Sequence, residues 1–252
     1  PLFEAGIMPE LVLGTSVGFV AHSTTATVMT VGFVNAGLLS LVAALPVLFG
    51  ANIGTTLSMQ LISFRLADYA LAAIAVGGVL FLTVREGRWR HFGQGVLGFG
   101  LLFFGMKLSG DAITPFRETI EPILGRIDGS TVSGLAAGFA ASALLTMVVQ
   151  SSGAVIGMTF VLTSAGAFTS LWQTFPIVLG AHVGTTLTAV IASLDTSAEA
   201  RRAAFANVGF NLFNAALGIA LARVLVPLIE ATNSSVIHQT ANAHTAMMIL
   251  PT

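Results

Sequence analysis

The sequence predicts an all-α polytopic membrane protein with inverted structural repeats, re-entrant hairpins and broken helices, and three observations lead to that reading. First, 55% of the 252 residues are hydrophobic and only 8% are charged, where a soluble domain carries about 25% charged residues. A soluble fold of this size must cover its outside with polar groups, so the apolar surface faces lipid. Second, a segment near residue 50 recurs near residue 180. Third, both copies lie in long uncharged stretches that are rich in glycines and hydroxyls.

A membrane-crossing helix needs about 20 mostly apolar residues, and the elements follow in order from that length. Residues 10–37 form a segment that dips into the membrane and returns, and 42–63 cross once. Residues 69–84 cross next and are stopped by Arg85, Arg88, Arg90 and His91, and 92–108 form the following apolar stretch. The connector from Asp111 to Asp128 mixes Arg117, Glu118, Glu121 and Arg126 with Ile113, Phe116, Ile120, Ile123 and Leu124. That pattern suits an amphipathic helix on the membrane surface; a short exposed linker is the plainer alternative. A second dip spans 133–165, a crossing spans 172–193, a charged connector runs from Asp195 to Arg202, and 204–222 supply the last long stretch. This walk puts Arg201 and Arg202 on the same face as Arg85, Arg88 and Arg90, as the clustering of positive charge on one side favours. Arg65, Lys107, Arg117, Arg126 and Arg223 fall on or near the other face, so orientation rests on clustering alone.

The repeat is close. Residues 46–57 read PVLFGANIGTTL and residues 176–187 read PIVLGAHVGTTL, with seven identical positions at an offset of 130. Further back, Gly37 matches Gly166 at an offset of 129, and Ala21–Ala26 (AHSTTA) sits where Gln150–Val155 (QSSGAV) sits in the second copy. Duplicated membrane proteins of this kind often have halves of opposite orientation with a binding site near the midplane.

Composition narrows the chemistry. A net charge of -1 supplies no basic stripe for nucleic acid. The absence of cysteine removes disulfides and thiolate metal sites. The chain starts at Pro1 without Met and ends in the apolar run Ala246–Pro251, with no signal-peptide pattern; both ends are expected to be cut.

No Asp, Glu, Lys or Arg occurs between Leu11 and Phe64 or between Thr131 and Leu194. Backbone that leaves the helix within a membrane must be satisfied internally or line a cavity, so the Gly-Thr-Thr and Ser-Ser-Gly interruptions mark broken helices around a site. A restarting helix presents free N–H groups and the positive end of its dipole, and such a terminus binds an anion without a basic side chain. Ser and Thr oxygens and freed carbonyls hold Na⁺. An anion in an uncharged site is costly to bury, and cations entering with it offset that cost. Coupling of anion to cation follows from the electrostatics.

Gln150-Ser151-Ser152, the paired Gly-Ala-x-x-Gly-Thr-Thr segments and VMTVGFVNAGLLSL (Val28–Leu41) resemble the type II sodium-phosphate cotransporters and their bacterial relatives. GLLFFGMKLSGDAITPF (Gly100–Phe116), RRAAFANVGFN (Arg201–Asn211) and Asn242-Ala243-His244-Thr245 are similar to further segments of that family. The resemblance covers nearly the whole chain. It implies an inverted-repeat secondary transporter in the plasma (inner) membrane, without a cofactor and with Na⁺ as coupling ion. Residues 1–91 would be the first repeat, lacking its N-terminal helix, and 92–252 the second, with its last helix truncated; together they form one transmembrane domain. A homo-oligomer is compatible with it. The implied phosphate-binding residues are Gln150, Ser151, Ser152, His22, Ser23, Thr24 and Thr25. The implied Na⁺-binding residues are Asn52, Thr55, Thr56, His182, Thr185 and Thr186, with Ser23 and Ser151 shared.

The chain departs from the family pattern at three places. The first copy reads Ala21-His22-Ser23-Thr24 where Gln-Ser-Ser-Ser is expected, Gly153 replaces the third Ser of the second copy, and His182 stands where Asn is usual. Histidine titrates near neutrality, so a proton is a second candidate for the coupling ion.

Plainer roles stand beside these. Gln150, Ser151 and Ser152 suit a polar patch between packed helices, although the duplication favours ligand binding. Gly50, Gly54, Gly180 and Gly184 have the spacing of close helix packing, and the four threonines have the option of bonding back to their own helix. His22 and His182 suit satisfied interior imidazoles. Asn207, Asn211 and Asn214, at helical spacing, are expected to join helices. A carrier or channel for another small oxyanion shares every fold-level feature. An intramembrane serine hydrolase needs a base beside Ser151 or Ser152 and an oxyanion hole, which the sequence does not suggest. A purely structural subunit gives no reason for two uncharged, glycine-broken segments in register.

Overall fold

A computed structural model describes residues 7–64 and 66–250; Arg65, one of the residues in the orientation argument, lies outside them. Among the described residues the regular structure is helical: α1 (Ile7–Asn35), α2 (Leu41–Ser63), α3 (Ala70–Thr83), α4 (Arg88–Ile113), α5 (Arg117–Leu124), α6 (Val132–Val149), α7 (Ser152–Ser164), α8 (Leu171–Ala192), α9 (Ala198–Glu230) and α10 (Val236–Ile249). Among the described residues, six helical segments are long and apolar enough to cross a membrane: α1, α2, the run Arg88–Leu124, α6, α8 and α9. Their outer faces carry exposed Leu, Val and Phe throughout, which only lipid tolerates on this scale. The molecule is an integral, multi-pass membrane protein.

The same local arrangement occurs twice. Gly14 faces the backbone of Val47 and Gly18 that of Ala51, while Gly50 and Gly54 face Leu11, Thr15 and Phe19 in return. The first arm of α1 therefore runs alongside α2 in the same direction. In the second copy, Gly138 lies against Pro176, Gly180 against Phe139 and Gly184 against Ala143, and the Ser142 hydroxyl donates to the Ile177 carbonyl at 2.6 Å; α6 and α8 are likewise parallel. At Gly50, Gly54, Gly180 and Gly184 a methyl group would overlap the neighbouring backbone, so these four glycines are there for close packing. Turns through Gly37 (φ 70°) and Gly166 (φ 78°), both in the left-handed region that glycine enters at no steric cost, lead into α2 and α8. Since the second arm of α1 and the end of α7 come back to the start of α2 and α8, the chain doubles back in each copy and forms a helical hairpin.

The α3–α4 pair is an antiparallel hairpin, with Gly77 against Leu97 and Gly100 against Ile74 and Ala70. Two details differ from the sequence-based expectation. The stretch 69–84 yields a helix of only 14 residues, about 21 Å at 1.5 Å per residue, short of a hydrocarbon core of about 30 Å. Arg88, Arg90 and His91 begin α4 instead of ending α3, and the Arg90 guanidinium lies over the Phe81 ring, 4.8 Å from its centroid. The connector after Asp111 contains α5, exposed and amphipathic as expected, with Arg117 and Glu121 paired at 3.6 Å.

The two copies meet in shared hydrophobic clusters. Val31, Val34, Ala44 and Leu48 pack on Ala189, Ala200, Ala203 and Ala204, and Met59 packs with Ile156, Phe160, Ala181 and Ala241. Phe49 stacks on Phe210 at 4.6 Å. Polar pairs tie α2 to α10: Gln60 Nε2 donates to Asn242 Oδ1 and Thr245 Oγ1, both at 2.9 Å, and Ser63 Oγ meets His238 Nδ1 at 2.9 Å.

Candidate functional site

Each hairpin turns at a break in its helix, and both breaks put a non-glycine residue at positive φ. His22 (φ 62°, ψ 160°) interrupts α1. Gln150 (φ 57°, ψ 27°) ends α6, and Ser151 (φ -148°, ψ 106°) precedes α7. His22, not Ala21, therefore occupies the position of Gln150, which corrects the alignment of Ala21–Ala26 with Gln150–Val155. One non-helical residue makes the first break and two make the second. That extra residue is why the offset between copies grows as the chain passes the tip.

Helices restart at both tips. The Ser23 amide donates to Thr55 Oγ1 at 2.7 Å, and Thr55 in turn donates to the Ala51 carbonyl at 3.0 Å, so the first tip is pinned to α2. At the second tip Ser151 caps its own helix, its Oγ accepting from the Ala154 amide at 3.2 Å. Ser152 is buried and Gln150 exposed. The tips touch: the space above Gly153 Cα is filled by the His22 imidazole, with Nδ1 3.2 Å and Cε1 3.3 Å from where a Cβ would stand. His22 Nδ1 is buried with no hydrogen-bond partner.

Beside the first tip lies a small cavity lined by Ser23, Thr24 and Thr27 of α1, Asn52 of α2, Thr185, Thr188 and Ala189 of α8, and Asn207 of α9. It leaves about 10 Å³ for the centre of a water-sized sphere, room for roughly one water or one bare monovalent cation. Seven of its eight lining residues are polar and none is charged. Asn52 Nδ2 donates to Asn207 Oδ1 at 3.4 Å across this space. The hydroxyls of Thr56, Thr185 and Thr186 donate to carbonyls three residues back, at 2.7–2.8 Å, which leaves their oxygen lone pairs as acceptors.

Of the residues singled out from sequence, Ser23, Thr24, Asn52 and Thr185 meet in one cavity, and His22 meets the second tip. Thr25 is exposed, and Gln150, Ser151 and Ser152 are not among the cavity's lining residues. Thr55 is fully buried beneath Ser23, and His182 is buried against His244 of α10. Thr27, Thr188 and Asn207 were not singled out as ligands. The first two had a legible signal, since each follows a chosen residue (Thr24, Thr185) at i+3, on the same helical face.

The family model described as Na+/Pi-cotransporter matches residues 6–111 and 114–249. The uncharacterized protein YqeW of Bacillus subtilis is 28% identical over 242 residues, covering 93% of this chain and 77% of its own length. The putative inorganic phosphate export protein YjbB of Escherichia coli K12 is 29% identical over 206 residues, covering 79% of this chain and 36% of its own length. YjbB of Salmonella typhimurium is 27% identical over 217 residues, 84% of this chain and 38% of its own. The chain thus spans little more than a third of the length of these export proteins. No solved structure matches it significantly. The family model runs through both hairpins and nearly the whole described chain, and the protein belongs to the Na+/Pi-cotransporter family, a family of transporters and not of enzymes.

Proposed function

We propose that this chain is a secondary active transporter that couples Na⁺, with a proton as the second candidate ion, to the movement of inorganic phosphate across the membrane. The observation that carries the reading is the uncharged, hydroxyl- and amide-lined cavity shared by the two copies through Ser23, Thr24, Asn52 and Thr185. Its size and donor set suit a bare Na⁺, which takes oxygen ligands. Phosphate would bind at the tips, against Gln150, Ser151, Ser152 and the segment His22–Thr25, held by hydroxyls and helix-terminal N–H groups. Asn52, Thr55, Thr56, His182, Thr185 and Thr186 would serve the coupling ions.

The physical logic is charge balance. An anion placed among neutral dipoles is poorly compensated, and a cation a few ångströms away supplies what Lys or Arg would otherwise supply. Each net positive charge moved inward gains about 2.3 kcal/mol per 100 mV of membrane potential. In this reading the two hairpins are re-entrant, the repeats (1–91 and 92–252) have opposite orientation, and alternating exposure comes from one repeat rocking against the other.

The test is uptake into liposomes containing the purified full chain, with labelled phosphate compared with sulfate and arsenate under imposed Na⁺ and pH gradients. Saturable phosphate uptake driven by at least one gradient is expected. At the touching tips, His22 stands in the position of Gln150 and Gly153 lacks a hydroxyl, and that favours a second reading, a carrier for a different oxyanion. Uptake of another anion without phosphate would select it.

A further inference from the structure

Helices α8 and α10 meet through two imidazoles. The rings of His182 and His244 are 4.6 Å apart between centroids, with planes 31° apart, and the residues are 2% and 0% exposed. Nε2 of His182 and both ring nitrogens of His244 are buried without a hydrogen-bond partner. The first copy handles the equivalent place differently. There Asn52 holds the position of His182, and its amide donates to Asn207 of α9. The amide pair makes a hydrogen bond to itself, whereas the imidazole pair leaves three ring nitrogens unserved, and a native interior seldom tolerates that without an occupant.

The surroundings say what kind of occupant. Asn211 Oδ1 and Asn214 Oδ1, on the neighbouring α9, are also buried without partners, and both are pure acceptors. The Asn214 amide nitrogen reaches Met248 Sδ at 3.6 Å, one turn beyond His244 on α10. A surplus of acceptors calls for a cation and repels an anion. Imidazole nitrogen is a poor ligand for hard cations such as Na⁺. Among the described residues no three His, Asp or Glu side chains converge to hold a metal ion. A proton fits: it binds an unserved ring nitrogen directly and turns that acceptor into a donor.

The groups facing the pair leave it as the site of charge. Helices α2, α6, α7, α8 and α10 carry no Asp, Glu, Lys or Arg, and α1 carries only Glu10 near its start. The charged residues of α9 (Glu199, Arg201, Arg202, Arg223, Glu230) lie toward its two ends. On α10 itself, His238 is engaged with Ser63. Among the described residues, His22 at the first tip is the remaining titratable group that acts on His244. Two charged rings in contact would repel strongly, so the pair takes one proton at a time.

We propose that His182 and His244 together form a proton-binding site that loads one proton from the aqueous phase on one side and releases it on the other as the carrier turns. The idea rests on the phosphate-transport reading and names the residues through which a proton would enter it. The test measures protons moved per phosphate in liposomes holding the full chain, a pH-sensitive dye and labelled phosphate. The wild-type ratio is expected to drop in His244→Asn and in His182→Asn, the latter restoring the residue of the first copy. An unchanged ratio in both variants overturns the site, as does wild-type phosphate movement without protons. A phosphate-independent measurement separates the two proposals: imidazole ¹⁵N resonances of the labelled wild-type chain, followed against pH. One coupled event shared by both rings, altered for His182 when His244 is replaced, supports the pair. Two independent titrations contradict it, whether or not phosphate is carried.

Discussion

The imidazole of His22 lies directly on Gly153, so that the tip of the first hairpin is seated against the tip of the second. Both residues are departures from the family pattern that the sequence resembles, and they are departures that fit each other: a bulky ring on one side, a missing side chain on the other. A Cβ at 153 would stand 3.2 Å from His22 Nδ1, closer than ordinary van der Waals contact, and the ring or the tip would have to give way.

That contact yields a double-mutant prediction. Gly153→Ser is expected to slow phosphate uptake several-fold by separating the tips, and His22→Ala added to it is expected to recover part of the loss. Coupling energies between touching residues run to about 0.5–3 kcal/mol. Uptake rates of the four proteins in the cycle measure it; strictly additive effects would show that the two positions act independently.

The close helix packing is testable by stability alone. Gly180→Ala places a methyl group on the Phe139 carbonyl, and overpacking of this kind costs about 1–3 kcal/mol. Gly78→Ala, where nothing lies within 4 Å, is expected to be neutral or to stabilise by up to about 1 kcal/mol, because alanine favours a helix over glycine. Thermal unfolding in detergent compares the two. Equal melting temperatures would contradict the packing role of Gly180.

The small cavity predicts where ion dependence resides. Asn52→Ala and Thr185→Ala each remove one lining oxygen, and each is expected to raise the Na⁺ concentration for half-maximal uptake about tenfold, the equivalent of roughly 1.4 kcal/mol. Titration of uptake against Na⁺ at fixed phosphate measures this. A change confined to the phosphate dependence would move these residues from the ion to the anion.

At the second tip, Gln150→Ala and Ser151→Ala are expected to abolish uptake while the protein stays folded. Ser151 also caps α7, so its replacement carries a stability cost of about 1 kcal/mol, visible as a modest drop in melting temperature. Unchanged transport in both variants would place the anion elsewhere.

Much of this was legible in the sequence because the membrane makes the rules strict. The uncharged runs and the Ser-Ser-Gly interruption marked the region of the helix breaks, since polar, glycine-broken backbone has few places to go in lipid; the Gly-Thr-Thr segments, expected to break as well, instead run unbroken inside α2 and α8, because their threonines bond back to carbonyls of their own helix. Two further things were not legible. The residue at the first break was one position off, because a one-residue break and a two-residue break look alike until the backbone turns are seen at His22 and Gln150. The partners of Asn52 and His182 were hidden as well. Asn207 and His244 reach them from α9 and α10, and no spacing along the chain encodes a contact made across 155 residues.

The central claim is that two uncharged tips, one from each copy, meet to hold an anion with its cation beside them. A density map of the full chain in lipid, prepared with phosphate and Na⁺, tests it most directly. The account predicts anion density between residues 22–25 and 150–153 and a separate ion density among Ser23, Thr24, Asn52 and Thr185. Tips parted from each other and open to acyl chains, with the anion bound elsewhere, would contradict it.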